Sequence, residues 1–278
     1  MNEDPDSPVV AFVGGGNMAR SLVGGMVARG VPPGRIRVAD RNADNRERLA
    51  ADFGVHCFAT PEEAVRGAGF WVLAVKPQGM RPVCSSLAGL AQQLKPVALS
   101  VAAGITSRQI ATWLGGAVPV VRAMPNTPSL LGAGITGLYA NAHVTDHQRT
   151  QAGELIQAVG PVEWIDDEAL MDAVTGVSGS GPAYVFLLAE AMAEAGARQG
   201  LPPGVAARLA NQTLLGAARM LTESGEDAAT LRRRVTSPGG TTQAGIETLE
   251  QGGLRELVAR AVGAATRRGA ELSAANDD

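Results

Sequence analysis

Aromatic side chains make up only 4% of the 278 residues, and cysteine occurs twice, as Cys57 and Cys84. Two cysteines cannot build a disulfide framework, so both are read as inert thiols in a reducing compartment. Lysine is confined to positions 76 and 95, and histidine to 56, 143 and 147. No His, Cys and carboxylate set has the spacing of metal ligands, so no metal is expected. There is no block of like charges, and the formal net charge is −3. That excludes a basic footprint for nucleic acid and a polybasic membrane patch, leaving a small molecule as the expected partner. Long apolar runs are missing too. The most apolar stretch, 183–197, is interrupted by Glu190 and Glu194 and falls short of the roughly 20 residues a membrane span needs. The opening MNEDPDSP is acidic and carries two prolines, the reverse of a secretory leader, so a cytoplasmic location is expected.

What the chain has in quantity is Ala, Val and Leu together with 35 glycines, the usage of a helix-rich α/β enzyme. Its length predicts two domains. Short apolar runs at 9–13, 36–39, 55–58, 70–75, 97–101 and 118–123 read as strands bounded by Gly or Pro, with helical stretches between them. Thr60-Pro61-Glu62-Glu63 carries a helix-start signature. Repeated strand–helix alternation implies a parallel sheet covered on both faces, with right-handed crossovers.

After a last apolar strand near Trp164 the strand signals stop. Ala-rich helical patterns follow at about 167–175, 182–199, 205–223, 228–233, 242–251 and 254–273. The domain boundary is therefore placed between 165 and 166, with 1–165 binding dinucleotide and 166–278 all helical. The helix from Pro182 is apolar on nearly every face and must be surrounded by protein. Burial within one chain is the alternative, but a small helical domain can hardly enclose it, so an obligate dimer is expected.

Gly14-x-Gly16-x-x-Ala19, with Asn17 and Met18 inside it, directly follows the first strand and opens the first helix. This is the context of the Rossmann dinucleotide fingerprint: a tight turn, a close backbone approach to pyrophosphate, and close helix packing. Asp40 ends the second strand where an acid would accept a ribose hydroxyl, yet Arg41 and Asn42 follow. Arginine suits a 2′-phosphate bidentately, so NADPH is preferred, with NADH as the alternative. Ala74-Val75-Lys76-Pro77 and Ala102-Ala103-Gly104 fall at the ends of later strands and are read as cofactor walls. In the helical half, Val177-Ser178-Gly179-Ser180-Gly181-Pro182 leads into the apolar helix. Val235-Thr236-Ser237-Pro238-Gly239-Gly240-Thr241-Thr242 precedes another. Free amides and hydroxyls in the second loop suit a carboxylate.

Six segments together carry a family resemblance: VGGGNMA (13–19), AVKP (74–77), AAGIT (102–106), RAMPNTP (122–128), DAVTGVSGSGPAY (172–184) and VTSPGGTTQAG (235–245). With them the chain resembles the pyrroline-5-carboxylate reductases over nearly its whole length. The resemblance implies a Rossmann-type doubly wound sheet followed by an all-helical dimerisation domain. It also implies reduction of 1-pyrroline-5-carboxylate to L-proline, the last step of proline biosynthesis, by a homodimer and a decamer built from dimers. By similarity Thr242 is the catalytic hydroxyl at the ring nitrogen, and Ser237, Gly240 and Thr241 hold the carboxylate. Val177 and Ser178 form the facing wall, and Pro125 and Asn126 lie near the nicotinamide.

Three other readings are weaker. A β-hydroxyacid dehydrogenase would need a lysine in the helical half, where none occurs. A histidine-based dehydrogenase fails likewise, since all three histidines precede residue 165. A noncatalytic NADP-binding regulator would tolerate a degenerate substrate loop, but here the Ser, Gly and Thr positions are all present.

Overall fold

Successive strand side chains point to opposite faces, and the first strand shows what this does here. In β1 (Val10–Val13), Val10 and Phe12 enter one apolar layer while Ala11 and Val13 enter the other. The computed structural model describes residues 8–275; the opening segment on which the leader expectation rests lies, apart from Pro8, outside the described residues. The chain continues through α1 (Asn17–Ala28), β2 (Ile36–Ala39), α2 (Ala43–Phe53), β3 (His56–Phe58), α3 (Pro61–Val65), β4 (Phe70–Leu73), α4 (Pro77–Leu94), β5 (Val97–Ser100), α5 (Ser107–Trp113), β6 (Val120–Met124), β7 (Thr136–Ala140), α6 (Asp146–Ile156) and β8 (Val162–Trp164). It ends in α7 (Met171–Val174), α8 (Gly181–Arg198), α9 (Pro203–Glu223), α10 (Ala228–Arg234), α11 (Thr241–Gln251) and α12 (Leu254–Ala274). Two compact units result: one runs to Gly179 and resumes at Ala264, and the other spans Ser180–Gly263.

The first unit is built on a sheet of order β3-β2-β1-β4-β5-β6-β7-β8. The first six strands run parallel, with Val10 opposite both Ile36 and Phe70. Strand addition reverses direction between β1 and β4, which makes a topological switch point there. One face of the sheet buries Leu22, Met26, Leu49 and Ile156. The other buries Met80, Leu87, Ile105 and Ile110 against Trp71 and Leu73. The doubly wound architecture expected from the alternation is therefore present, with one addition. β7 runs antiparallel to β6, and β8 is parallel to β7. The turn between β6 and β7 is short, a 3₁₀ turn at Thr127–Leu131, and a short connection joins antiparallel neighbours where a parallel pair needs a crossover.

Arg122 on β6 is 7% exposed and pairs with Glu168, 22% exposed, at 2.9 Å. The same carboxylate accepts from the Ser107 amide and hydroxyl, each at 2.6 Å. One side chain just beyond the sheet therefore ties β6 to the start of α5. The last turns of α12 join this unit as well. Gln109 donates to the Ser273 carbonyl at 2.9 Å, and Leu272 lies against Gly104.

In the second unit α8 packs on α9, where Gly196 admits Ala206 closely. α8 contains no buried residue. Phe186 and Leu187 are 66% and 65% exposed, and Leu209, Leu215 and Leu257 are also exposed. The enclosure that this apolar helix requires is not supplied by its own unit. Water-facing apolar area of this extent favours association with matching area. Among the described residues no helix is long and apolar enough to cross a membrane.

Replacing Glu168 by Ala leaves Arg122 buried without its partner and strips both Ser107 donors of their acceptor. Unfolding in urea should then show a loss of about 3 kcal/mol. A loss under about 0.5 kcal/mol, typical of a surface site, would show that the pair does not anchor this unit.

Candidate active site

Every strand of a parallel run delivers its carboxyl end to the same edge of the sheet. At this edge the residues expected to hold the cofactor come together from β2, β1, β4, β5 and β6, all in the first unit. Gly14 sits at the switch point: its N–H donates to Ala39 O at 2.8 Å, and Ala74 N donates to Val13 O at 2.8 Å. Its φ is +103°, and a Cβ there would lie 2.7 Å from Ala74 O. Only glycine fits on both counts. Two residues on, Gly16 has an ordinary φ of −70°, and a Cβ would meet nothing within 4 Å. Gly16 caps α1 through its backbone alone, and the first turn, Asn17 and Met18 included, carries no acid. Ala19 is fully buried. A 12-residue helix thus presents unpaired amides to open space, an arrangement that suits pyrophosphate.

Asp40 is committed to its own chain. One carboxylate oxygen accepts from the Gly15 amide at 2.7 Å and from Asn45 at 3.3 Å, and the other accepts from the Asn42 amide at 2.8 Å. It therefore holds the fingerprint loop against the end of β2. Arg46 supports the same corner by donating to the carbonyls of Asp40 and Arg41 at 2.7 and 3.1 Å. The side chain of Asn42 caps α2 by accepting from Asp44 N at 2.8 Å. Arg41 is exposed, with no side-chain partner among the described residues.

Further along the edge, Ala74 and Val75 lead to exposed Lys76, whose carbonyl accepts from Gly79, and Pro77 is the first residue of α4. Ala102 and Ala103 are half-buried beyond β5, and Gly104 is buried. Pro125 is buried at the end of β6. Beside it, Asn126 donates to Ser178 O and accepts from Ile135 N, both at 3.1 Å. Ser178 belongs to a π-helical turn, Thr175–Gly179, and its hydroxyl back-bonds to Val174 O at 3.0 Å. Val177 in the same turn is 62% exposed.

The second unit carries the hydroxyl-rich loop. Gly240 caps α11 without a side-chain hydrogen bond, and no acid stands in the first turn. Of the four hydroxyl residues, Thr236 is used structurally, donating to Arg232 O at 2.6 Å. Ser237, Thr241 and Thr242 are exposed and have no side-chain partner among the described residues. Thr242 thus does not cap the helix. Sequence reasoning passed over Gln243, whose Oε1 accepts from Gly239 N at 2.7 Å while its Nε2 donates to Glu247 at 2.6 Å. A Gln in the third helical position reaching back toward the entry resembles a capping box, although here it meets the amide before the N-cap, so part of the signal was present in the sequence.

The two thiols have no part in these sites. Burial pushes Cys84 up to about 12, and burial also raises Cys57 above its ordinary value. Both are free. Among the described residues no group of three or more His, Cys, Asp and Glu side chains could hold a metal ion.

Two family models match the chain. Residues 168–272 match the family model for pyrroline-5-carboxylate reductase dimerisation. Residues 9–104 match that for NADP oxidoreductase, coenzyme F420-dependent. A pyrroline-5-carboxylate reductase of Pseudomonas aeruginosa is 51% identical over 269 residues, covering 96% of this chain and 97% of the relative. A solved pyrroline-5-carboxylate reductase from Coxiella burnetii superimposes with a TM-score of 0.93 at 44% identity, covering 96% of this chain and 99% of that one. A Plasmodium falciparum pyrroline carboxylate reductase solved with NADP bound has a TM-score of 0.84 at 25% identity, with coverages of 96% and 99%.

The contrast between the two glycines gives a clean test. Gly16→Ala should fold with an unchanged melting temperature, because its φ and its surroundings accept a methyl group, yet bind NADPH at least about tenfold more weakly, or 1.4 kcal/mol. Unchanged affinity would mean that the pyrophosphate does not approach α1 at this point.

Proposed function

The chain belongs to the pyrroline-5-carboxylate reductase family, and we propose that it reduces 1-pyrroline-5-carboxylate to L-proline with NADPH, the last step of proline biosynthesis. The observation that carries this reading is the loop before α11. There Ser237, Thr241 and Thr242 keep their hydroxyls unpaired beside a helix start whose N-cap, Gly240, has no side chain to offer. Donors that a folded chain leaves unspent at one point suit a ligand carboxylate and a ring nitrogen.

NADPH, when bound, supplies the hydride that adds to the imine carbon. On the protein side, Gly16, Asn17 and Met18 receive the pyrophosphate, with Gly14 making the tight turn and Ala19 letting the helix pack closely on the sheet. Arg41 takes the 2′-phosphate, with Asn42 holding the start of α2. Ala74–Pro77 and Ala102–Gly104 line the dinucleotide, and Pro125 flanks the nicotinamide, with the Asn126 side chain beside it bonded to the protein. Ser237, Gly240 and Thr241 bind the carboxylate, and Val177 and Ser178 are substrate contacts by family resemblance. Thr242 orients the ring nitrogen, being able both to donate and to accept. A protonated imine is already electrophilic, so placement and exclusion of water do most of the work. In functional terms 1–165 is the cofactor-binding domain and 166–278 the dimerisation and substrate domain.

The exposed apolar face of α8 supports a homodimer as the working unit. The decamer of five dimers rests on the family resemblance. A reducing cytoplasm is the proposed compartment, which two free thiols suit.

The test is oxidation of NADPH by the purified protein with racemic 1-pyrroline-5-carboxylate, with proline quantified at the end. One proline per NADPH establishes the reaction, and no turnover from a folded, NADPH-binding chain refutes it. Within that assay, Thr242→Ala should lower kcat/KM by about 100-fold, the lower range for a positioned proton-transfer group. A drop of less than about threefold would remove Thr242 from the mechanism. Arg41→Ala should weaken NADPH by about tenfold or more and leave NADH unaffected, since a charge-assisted bond contributes about 1.5–3 kcal/mol. Equal effects on the two cofactors would contradict the 2′-phosphate assignment.

A further inference from the structure

Asn126 stands at the end of β6, among residues whose family counterparts flank the nicotinamide, but its side chain is turned to the protein. Nδ2 donates to the backbone carbonyl of Ser178, and Oδ1 accepts from the backbone amide of Ile135, both at 3.1 Å. The orientation is fixed, because a flipped amide would set oxygen against carbonyl and N–H against N–H. One short side chain thus joins three segments: the exit from β6, the entry to β7, and the π-helical turn Thr175–Gly179.

That turn and Val174, the last residue of α7 before it, are seated tightly on the same two strands. A Cβ on Gly179 would lie 2.4 Å from the terminal carbon of Met124, and one on Gly137 would lie 2.6 Å from Val174 Cγ1. Within the turn, the Thr175 and Ser178 hydroxyls return to Met171 O and Val174 O, each at 3.0 Å. These bonds brace the turn locally and do not fix it to the sheet. The Asn126–Ser178 bond does, and it meets the turn next to Val177, which is 62% exposed. π-Turns tend to occur at functional sites, where the widened backbone re-aims neighbouring groups.

We propose that Asn126 is a positioning residue that sets the Val177–Ser178 wall against the end of β6 through the Ser178 carbonyl. Its amide does not serve as a cofactor contact. The proposal rests on the functional reading above in so far as Val177 and Ser178 face the imine substrate. The hydrogen bonds themselves do not depend on that reading.

Two variants of the full-length protein separate the roles. Asn126→Asp keeps the acceptor for Ile135 and loses the donor to Ser178, while Asn126→Ala loses both. In each, KM for 1-pyrroline-5-carboxylate should rise about fivefold, the scale of one neutral hydrogen bond, with kcat and the NADPH dissociation constant within twofold of the parent. Amide hydrogen exchange across 175–181 should accelerate by a similar factor, while 14–19 stays unchanged. A raised NADPH dissociation constant would return Asn126 to the cofactor contacts and overturn the proposal. So would unaltered KM and unaltered exchange, whatever happened to the melting temperature. If the parent protein proved inactive the functional reading would fail, and the exchange measurement would still decide whether Asn126 holds the turn.

Discussion

Six neighbouring strands point the same way, and most of the site follows from that. A parallel strand cannot return directly to its neighbour, so each leaves the sheet at the carboxyl edge, and its connection begins there. Five connections, from β2, β1, β4, β5 and β6, therefore start side by side without any specific attraction between them. At the switch point the chain parts to either side, and Gly14 is squeezed between Ala39 and Ala74. Asp40 then holds the neighbouring Gly15 amide, so an acid that could have faced a ribose serves as an internal clamp. The free amides of α1 are left facing open space, an arrangement that suits an anion.

The helical unit is governed by a different constraint. α8 and α9 pack on each other but leave Phe186, Leu187, Leu209 and Leu215 facing water. A helix with apolar residues on nearly every face is stable only with protein on nearly every face. The family model covering 168–272 is one of dimerisation, in agreement with that physical requirement.

Most of the fold was legible because its signals are local. β1 to β6 are short apolar runs punctuated by Gly and Pro, and the helices after 165 repeat an unbroken apolar pattern, so these elements were placed to within a few residues. β7 was not anticipated. Gly137 interrupts a run of only five residues, and its pairing with β6 depends on a 3₁₀ turn that leaves little trace in composition. The gathering of these segments at one edge of the sheet was readable from motif and context. The commitments of Asp40 and Asn126 were not, since each needs partners 25 or 52 positions away in sequence. Gln243 lies between these cases, as its reach to Gly239 is local and follows a known helix-start pattern.

The central claim is that this chain joins a hydride donor to a cyclic imine, and isotopic labelling tests it most directly. Two samples of NADPH, each deuterated at one face of nicotinamide C4, would be turned over with unlabelled 1-pyrroline-5-carboxylate and the proline examined by mass spectrometry and NMR. The account predicts one deuterium from one of the two samples, located on the ring carbon that had been the imine carbon. Proline without deuterium from either sample, or with deuterium at another carbon, would contradict it.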